Sequence, residues 1–162
     1  MDINKLVREN IRKLKPYSSA REEYSGNAQI LLDANENPFE NGMNRYPDPI
    51  QKNLKKEISK IKNVDTRNIF LGNGSDEIID LLIRVFCEPK EDEIMILPPT
   101  FGMYEVAANI SNIKVQKTNL TLDYQPNTKK IFNNTTANTK LLFLCSPNNP
   151  TGNSFDSNIL EI

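Results

Sequence analysis

The chain has 162 residues, with 20 Lys plus Arg against 21 Asp plus Glu, no His, no Trp and two Cys. A formal net charge of −1 argues against nucleic-acid binding through overall charge, and two Cys cannot build a disulfide scaffold. Without His, a zinc site would rest mostly on carboxylates, and Ser-His-Asp and Cys-His nucleophile systems are excluded.

The first sixteen residues contain no apolar h-region, and no apolar run approaches membrane-spanning length. The chain therefore reads as cytoplasmic, with no membrane partner. Cys87 and Cys145 each adjoin an apolar run and are expected to be buried free thiols. The hydrophobic fraction of 38% predicts one domain with a core thin for its length.

A short helix opens the chain. Residues 1–45 otherwise read as an irregular arm with few core residues, and organised α/β structure is expected over 46–162. Asp48 followed by Pro49 predicts a helix start, and Ile50, Leu54, Ile58 and Ile61 form one helical face with lysines around the rest. Ile69-Phe70-Leu71 reads as a short strand, broken by Gly72-Asn73-Gly74-Ser75. Ile78, Leu81, Leu82, Val85 and Phe86 then give a helix that ends before Pro89. Glu93 to Leu97 reads as a buried strand, Thr100 as the cap of a helix to about Ile110, and Lys114 to Leu120 as a strand. A short helix is expected near Lys129–Phe132 and a central strand at Leu141–Cys145. From Asp156 a new helix begins, and the chain stops inside its first turn, as a truncated chain would. The alternation predicts an α/β fold with a mostly parallel sheet.

Three loops carry candidate chemistry. Gly72–Glu77 lies between a strand and a helix, where unpaired N–H groups and the helix dipole attract anions and glycine lets a phosphate approach. Its spacing matches neither a dinucleotide fingerprint nor a Walker loop, and an ordinary capped turn remains open. Pro98–Tyr104 follows a strand, and Phe101 beside Gly102 can stack on a flat ring or simply pack under a helix start. Ser146–Gly152 holds two Asn between prolines, stiff enough to present an amide to a ligand oxygen or to serve as a plain turn. In a parallel sheet all three loops leave the same edge, where α/β folds bind ligands.

Asn149-Pro150-Thr151-Gly152 after an apolar strand, with the Gly72–Glu77 turn upstream, resembles the fold-type I aminotransferases that use pyridoxal 5'-phosphate. The finer match is to the histidinol-phosphate aminotransferase family, whose markers occur in order. They are Leu6–Ile11, Pro16-Tyr17, Asp33–Pro38, Arg45-Tyr46-Pro47, Gly74–Glu77, Pro98–Tyr104 and Ser146–Gly152.

The resemblance implies an incomplete large-domain sheet at 46–162 and an arm at 1–45 that packs at a homodimer interface and covers the active site. It implies that Gly74, Ser75 and Asp76 hold the cofactor phosphate, that Phe101 stacks on the pyridine ring where relatives usually have Tyr, and that Asn149 bonds the ring's phenolic oxygen. Tyr46 is expected to reach the neighbouring subunit's cofactor phosphate, and Tyr17, Asn35 and Glu36 to meet substrate. No metal is implied.

The implied reaction moves an amino group between L-glutamate/2-oxoglutarate and the imidazole-acetol phosphate/L-histidinol phosphate pair in histidine biosynthesis. In that family the Schiff-base lysine follows the last motif found here, so this chain is expected to be the N-terminal portion of the enzyme and inactive alone. The rival readings are a related threonine-phosphate decarboxylase and a non-catalytic phosphate-ligand-binding fragment.

Overall fold

The computed structural model describes residues 2–18, 23–24, 26, 30 and 32–159. Its elements are α1 (Glu9–Arg12), α2 (Lys52–Lys62), α3 (Ser75–Phe86), β1 (Glu93–Ile96), α4 (Met103–Ile110), β2 (Lys114–Lys117), α5 (Thr128–Asn134) and β3 (Thr139–Leu142). Single 3-10 turns lie at Ile3–Lys5, Thr66–Asn68 and Ser157–Ile159. The chain forms two compact units, one of Met1–Leu14 with Gly72–Ile162, the other of Lys15–Leu71.

The first unit is built on a parallel sheet in the order β2-β1-β3. Successive strand side chains face opposite ways, and β1 uses both faces. Ile94 and Ile96 join Ile79, Ile83 and Cys87 of the α3 line with Tyr104, Ala107 and Ala108 of α4. Met95 and Leu97 pack with Ile131 of α5 on the other face. Helices thus cover both sides of the central strand, and every residue of β1 is buried. Each such Ile contributes roughly 1.5–3 kcal/mol by leaving water.

Glu93 opens β1 as a buried carboxylate. It accepts from the hydroxyls of Thr136 and Thr139, both at 2.8 Å, and pairs with Lys114 at 2.9 Å. Burial pushes its pKa up, but Lys114 and the two hydroxyls together outweigh burial and leave it below the ordinary value.

The N-terminal segment docks on α3. Arg8 donates to Glu88 through Nε (2.8 Å) and Nη2 (3.1 Å), and through Nη1 to the carbonyl of Arg84 (3.0 Å). Its backbone N–H donates to the Val85 carbonyl at 3.0 Å. One arginine therefore satisfies carbonyl groups that the last turn of α3 leaves open.

Several expected elements are corrected. Ile69-Phe70-Leu71 is not a strand: Ile69 is extended at φ −112°, ψ 121°, but the segment has no ladder partner among the described residues. Asp48 is not the N-cap: its carboxylate accepts from Ile50 N at 2.9 Å and Lys52 N at 2.8 Å across a turn at residues 49–50, and α2 starts at Lys52 behind Gln51. The apolar face of α2 contains no buried residue. The cap of α4 is Gly102, already helical, rather than Thr100. β2 stops at Lys117, because its partner β1 runs into Pro98 and Pro99. The expected central strand Leu141–Cys145 is instead β3, at the sheet edge and shifted to Thr139–Leu142. Cys87 is buried as expected, whereas Cys145 is only half-buried. The helix expected from Asp156 is a 3-10 turn over Ser157–Ile159, and residues 160–162 lie outside the described residues.

Candidate functional site

In the first unit, three segments present the expected chemistry. Gly74 caps α3 at φ +80°, ψ 177°, a backbone region essentially reserved for glycine. It has no side chain to cap the helix, and nothing lies within 4 Å of where a Cβ would stand. No side chain caps the first-turn N–H groups, beginning at Ser75 and Asp76, at the positive end of the dipole. Asn73 N–H donates to the Glu77 carboxylate, which turns back along the helix and fixes the turn. Gly72 is tight, since a Cβ there would meet Ile78 Cδ1 at 2.7 Å.

Phe101 follows β1 and is half-buried. Its ring meets Tyr104 edge-on, with centroids 5.6 Å apart and planes at 87°. Tyr104 stacks in turn on Phe143 at 4.6 Å and 17°. This aromatic series fixes the plane of Phe101 and leaves part of the ring uncovered. Burial, with a smaller effect from the nearby Cys145 thiol, pushes the Tyr104 phenol well above its ordinary value, so it stays neutral.

Asn149 lies in the loop after β3 and is exposed, while its neighbour Asn148 is 3% exposed. Asn148 Nδ2 donates to the Pro99 carbonyl at 2.9 Å, which joins this loop to the one carrying Phe101. The loops after β1 and β3 thus converge at the carboxyl edge of the sheet, as a parallel arrangement requires.

The second unit holds Tyr17, Asn35, Glu36 and Tyr46. Asn35, Glu36 and Tyr46 line one cavity of about 290 Å³. The Glu36 side chain is 4% exposed; it accepts from Tyr46 N at 2.7 Å and Arg45 Nη1 at 3.0 Å. The hydrogen bonds that Arg45 donates to Glu36 and then Glu40 hold its guanidinium above its ordinary pKa. Tyr46 projects with 65% exposure, and Tyr17 stands 90% exposed and is not part of this cavity.

Among the described residues no cluster of three or more Cys, Asp or Glu could hold a metal. No described helix is long and apolar enough to cross a membrane.

Sequence reasoning missed Asn148, Tyr104 and Arg45 as supports of the site. Tyr104 carries a signal, being three residues after Phe101 on a helix. Nothing in the Asn-Asn pair says which amide turns inward.

The aminotransferase class I and II family model matches residues 26–161. This chain belongs to the class I and II aminotransferases. A histidinol-phosphate aminotransferase of Christiangramia forsetii is 52% identical over 99% of the chain and 47% of its own length. That of Flavobacterium johnsoniae is 54% identical over 99% of the chain, again with 47% of the relative covered. The chain thus spans about half the length of these curated relatives. Among solved aminotransferase-like folds, cystalysin from Treponema denticola, a structure containing pyridoxal 5'-phosphate, aligns with a TM-score of 0.65 at 24% identity. That alignment covers 72% of this chain and 32% of cystalysin. The fold of this family member is therefore the fold-type I architecture, represented here by its small parallel sheet and flanking helices.

Proposed function

We propose that the complete protein carrying this chain is a histidinol-phosphate aminotransferase. It exchanges an amino group between L-glutamate/2-oxoglutarate and imidazole-acetol phosphate/L-histidinol phosphate, in the cytoplasm, as a homodimer. The observation that carries this reading is 52–54% identity to proteins of that name along nearly the whole chain.

The residues present fit pyridoxal 5'-phosphate. The bare end of α3 at Gly74, with free space where a Cβ would stand, suits a phosphate. Phe101 offers a ring face whose orientation is fixed by Tyr104. Asn149 offers an exposed amide on the loop that Asn148 ties to the loop carrying Phe101. When bound, this cofactor supplies the carbonyl and electron-withdrawing ring through which an amino group is passed.

This chain's own contribution is binding and orientation. The backbone of Gly74, Ser75 and Asp76 would hold the phosphate, with the Ser75 and Asp76 N–H groups as donors while the Gly74 N–H donates to the Gly72 carbonyl at 3.0 Å, and Phe101 would exclude water from one ring face. Asn149 would donate to the ring's phenolic oxygen, favouring its anionic form. Tyr46, exposed and fixed by Glu36 through its backbone, is assigned to the phosphate of the neighbouring subunit. Asn35, Glu36 and Tyr17 are assigned to the substrate side. The covalent lysine is assigned to the portion of the relatives' length that this chain does not span, so the 162 residues alone are expected to be inactive.

The test is an assay on the product of the complete reading frame. Formation of glutamate from histidinol phosphate and 2-oxoglutarate supports the reading. Release of carbon dioxide from threonine phosphate without amino transfer overturns it in favour of the decarboxylase.

A further inference from the structure

Asn148 and Asn149 are neighbours in sequence and opposites in environment. Asn149 is exposed, while Asn148 points all its polar reach inward. Asn148 Nδ2 donates twice, to the Pro99 carbonyl at 2.9 Å and to Thr151 Oγ1 at 2.7 Å. The Thr151 hydroxyl donates onward to Asn153 Oδ1 at 2.5 Å, and Asn153 Nδ2 donates to the Tyr124 carbonyl at 3.1 Å.

Each partner accepts from the one before it, so the direction of the series is fixed. A carbonyl such as that of Pro99 can only accept, and the Asn148 amide must therefore present its nitrogen. The series joins the segments that follow β3, β1 and β2, which are the three loops at the carboxyl edge. The backbone closes the same loop: Asn148 N donates to the Asn153 carbonyl at 2.8 Å, and Gly152 N to the Asn148 carbonyl at 2.7 Å.

One detail argues against a purely stabilising role. Asn148 Oδ1 is buried and accepts no hydrogen bond. An unpaired buried acceptor is unfavourable, and native structures contain few of them. A smaller residue would avoid it but would release the Pro99 carbonyl and Thr151 together.

We infer that Asn148 is a positioning residue that sets the aim of Asn149, with Thr151 and Asn153 as its relay. This rests on the assignment of Asn149 to the cofactor ring made above. Among the described residues no hydrogen bond to Asn149 is seen, and its neighbours in the chain are Asn148 and Pro150. Freeing Asn148 lets the chain rotate just before the Asn149 amide. Useful hydrogen bonds need the donor within about 0.3 Å and 30° of ideal geometry, so a small rotation removes the contact without removing the residue.

The test is a double-mutant cycle in the protein made from the complete reading frame, loaded with pyridoxal 5'-phosphate. Its readouts are the pH midpoint of the cofactor's visible absorption band and the visible circular dichroism per bound cofactor. Asn149→Ala is expected to raise the midpoint by on the order of one pH unit. Asn148→Ala should raise it by a fraction of that and lower the circular dichroism about two-fold, and the double variant should match Asn149→Ala alone. Thr151→Ser, which keeps the hydroxyl, should behave as wild type, whereas Thr151→Val should follow Asn148→Ala.

If Asn149→Ala shifts the midpoint but Asn148→Ala and Thr151→Val change only the melting temperature, or if the single shifts add, the positioning role is overturned and the Asn149 assignment survives. If Asn149→Ala itself leaves the midpoint unmoved, both fail together. Where Asn148→Ala does not fold, Thr151→Val carries the same comparison. In the cofactor-free protein, hydrogen exchange at Gly152 and Asn153 should accelerate in Asn148→Ala, and unchanged exchange there contradicts the relay.

Discussion

Gly74 shows how one atom more would close the site. At φ +80°, ψ 177° it occupies backbone space that a Cβ makes costly by about 1–3 kcal/mol. Gly74→Ala is therefore expected to lower stability by that amount in chemical denaturation, and to weaken phosphate-ester binding by more than the stability loss explains. A variant with native affinity would remove Gly74 from the anion site. Cys87 makes a second residue-scale case. Burial first, and then the Asp92 carboxylate, push its thiol up to about 11. Cys87 should resist alkylation at pH 8 in the native protein and react once unfolded, as peptide mapping would reveal. At this scale the glycine turn and the Asn-Asn pair are legible in the sequence, because motif spacing carries them. The pair itself does not separate the inward Asn148 from the outward Asn149, since side-chain direction in a Pro-bounded loop depends on what the neighbouring loop offers.

The helices were the most legible elements. The apolar spacing of α3 predicts its length to within a few residues, although its fully buried line runs through Ile79, Ile83 and Cys87 and not through Ile78 and Leu82. Strands are less legible, because a strand exists only where a partner is present. Ile69–Leu71 is apolar and extended at Ile69, yet unpaired among the described residues, and β3, expected at the centre, lies at the edge of the described sheet.

Between elements, Arg8 is the fastening that no local signal announced. Arg8→Lys cannot bond both Glu88 oxygens and the Arg84 carbonyl together. Arg8→Ala should lower Tm by about 2–4 °C and speed hydrogen exchange in the last turn of α3. The hydrogen bond from Arg8 holds Glu88 below the ordinary carboxylate pKa. A depressed carboxylate adds stability that is present above its unfolded pKa and is lost as pH falls through the folded value. The gap between wild type and Arg8→Ala should therefore narrow on acidification below the ordinary Glu range. A gap that stays constant down to pH 2 would show that Glu88 is not the partner that matters.

For the molecule as a whole, stability centres on the β1 layer. Ile83 is fully buried against it, and Ile83→Ala should cost about 2–5 kcal/mol by urea denaturation. Retained stability would mean that the layer repacks. The α/β class was readable from the alternation of elements; the division into two units was not, because it depends on contacts between segments far apart in sequence.

The sheet's two outer strands differ in how well they resist unwanted company. β2 reads Lys-Val-Gln-Lys, and both lysines are held in ion pairs, with Glu93 and Glu105. Charged edges of this kind repel a stray strand. β3 reads Thr-Lys-Leu-Leu, and Leu142 is 40% exposed. Among the described residues its outer side has no ladder partner. Produced as these 162 residues alone, the polypeptide should form oligomers and precipitate from the β3 side, making solubility rather than folding the first obstacle in handling it.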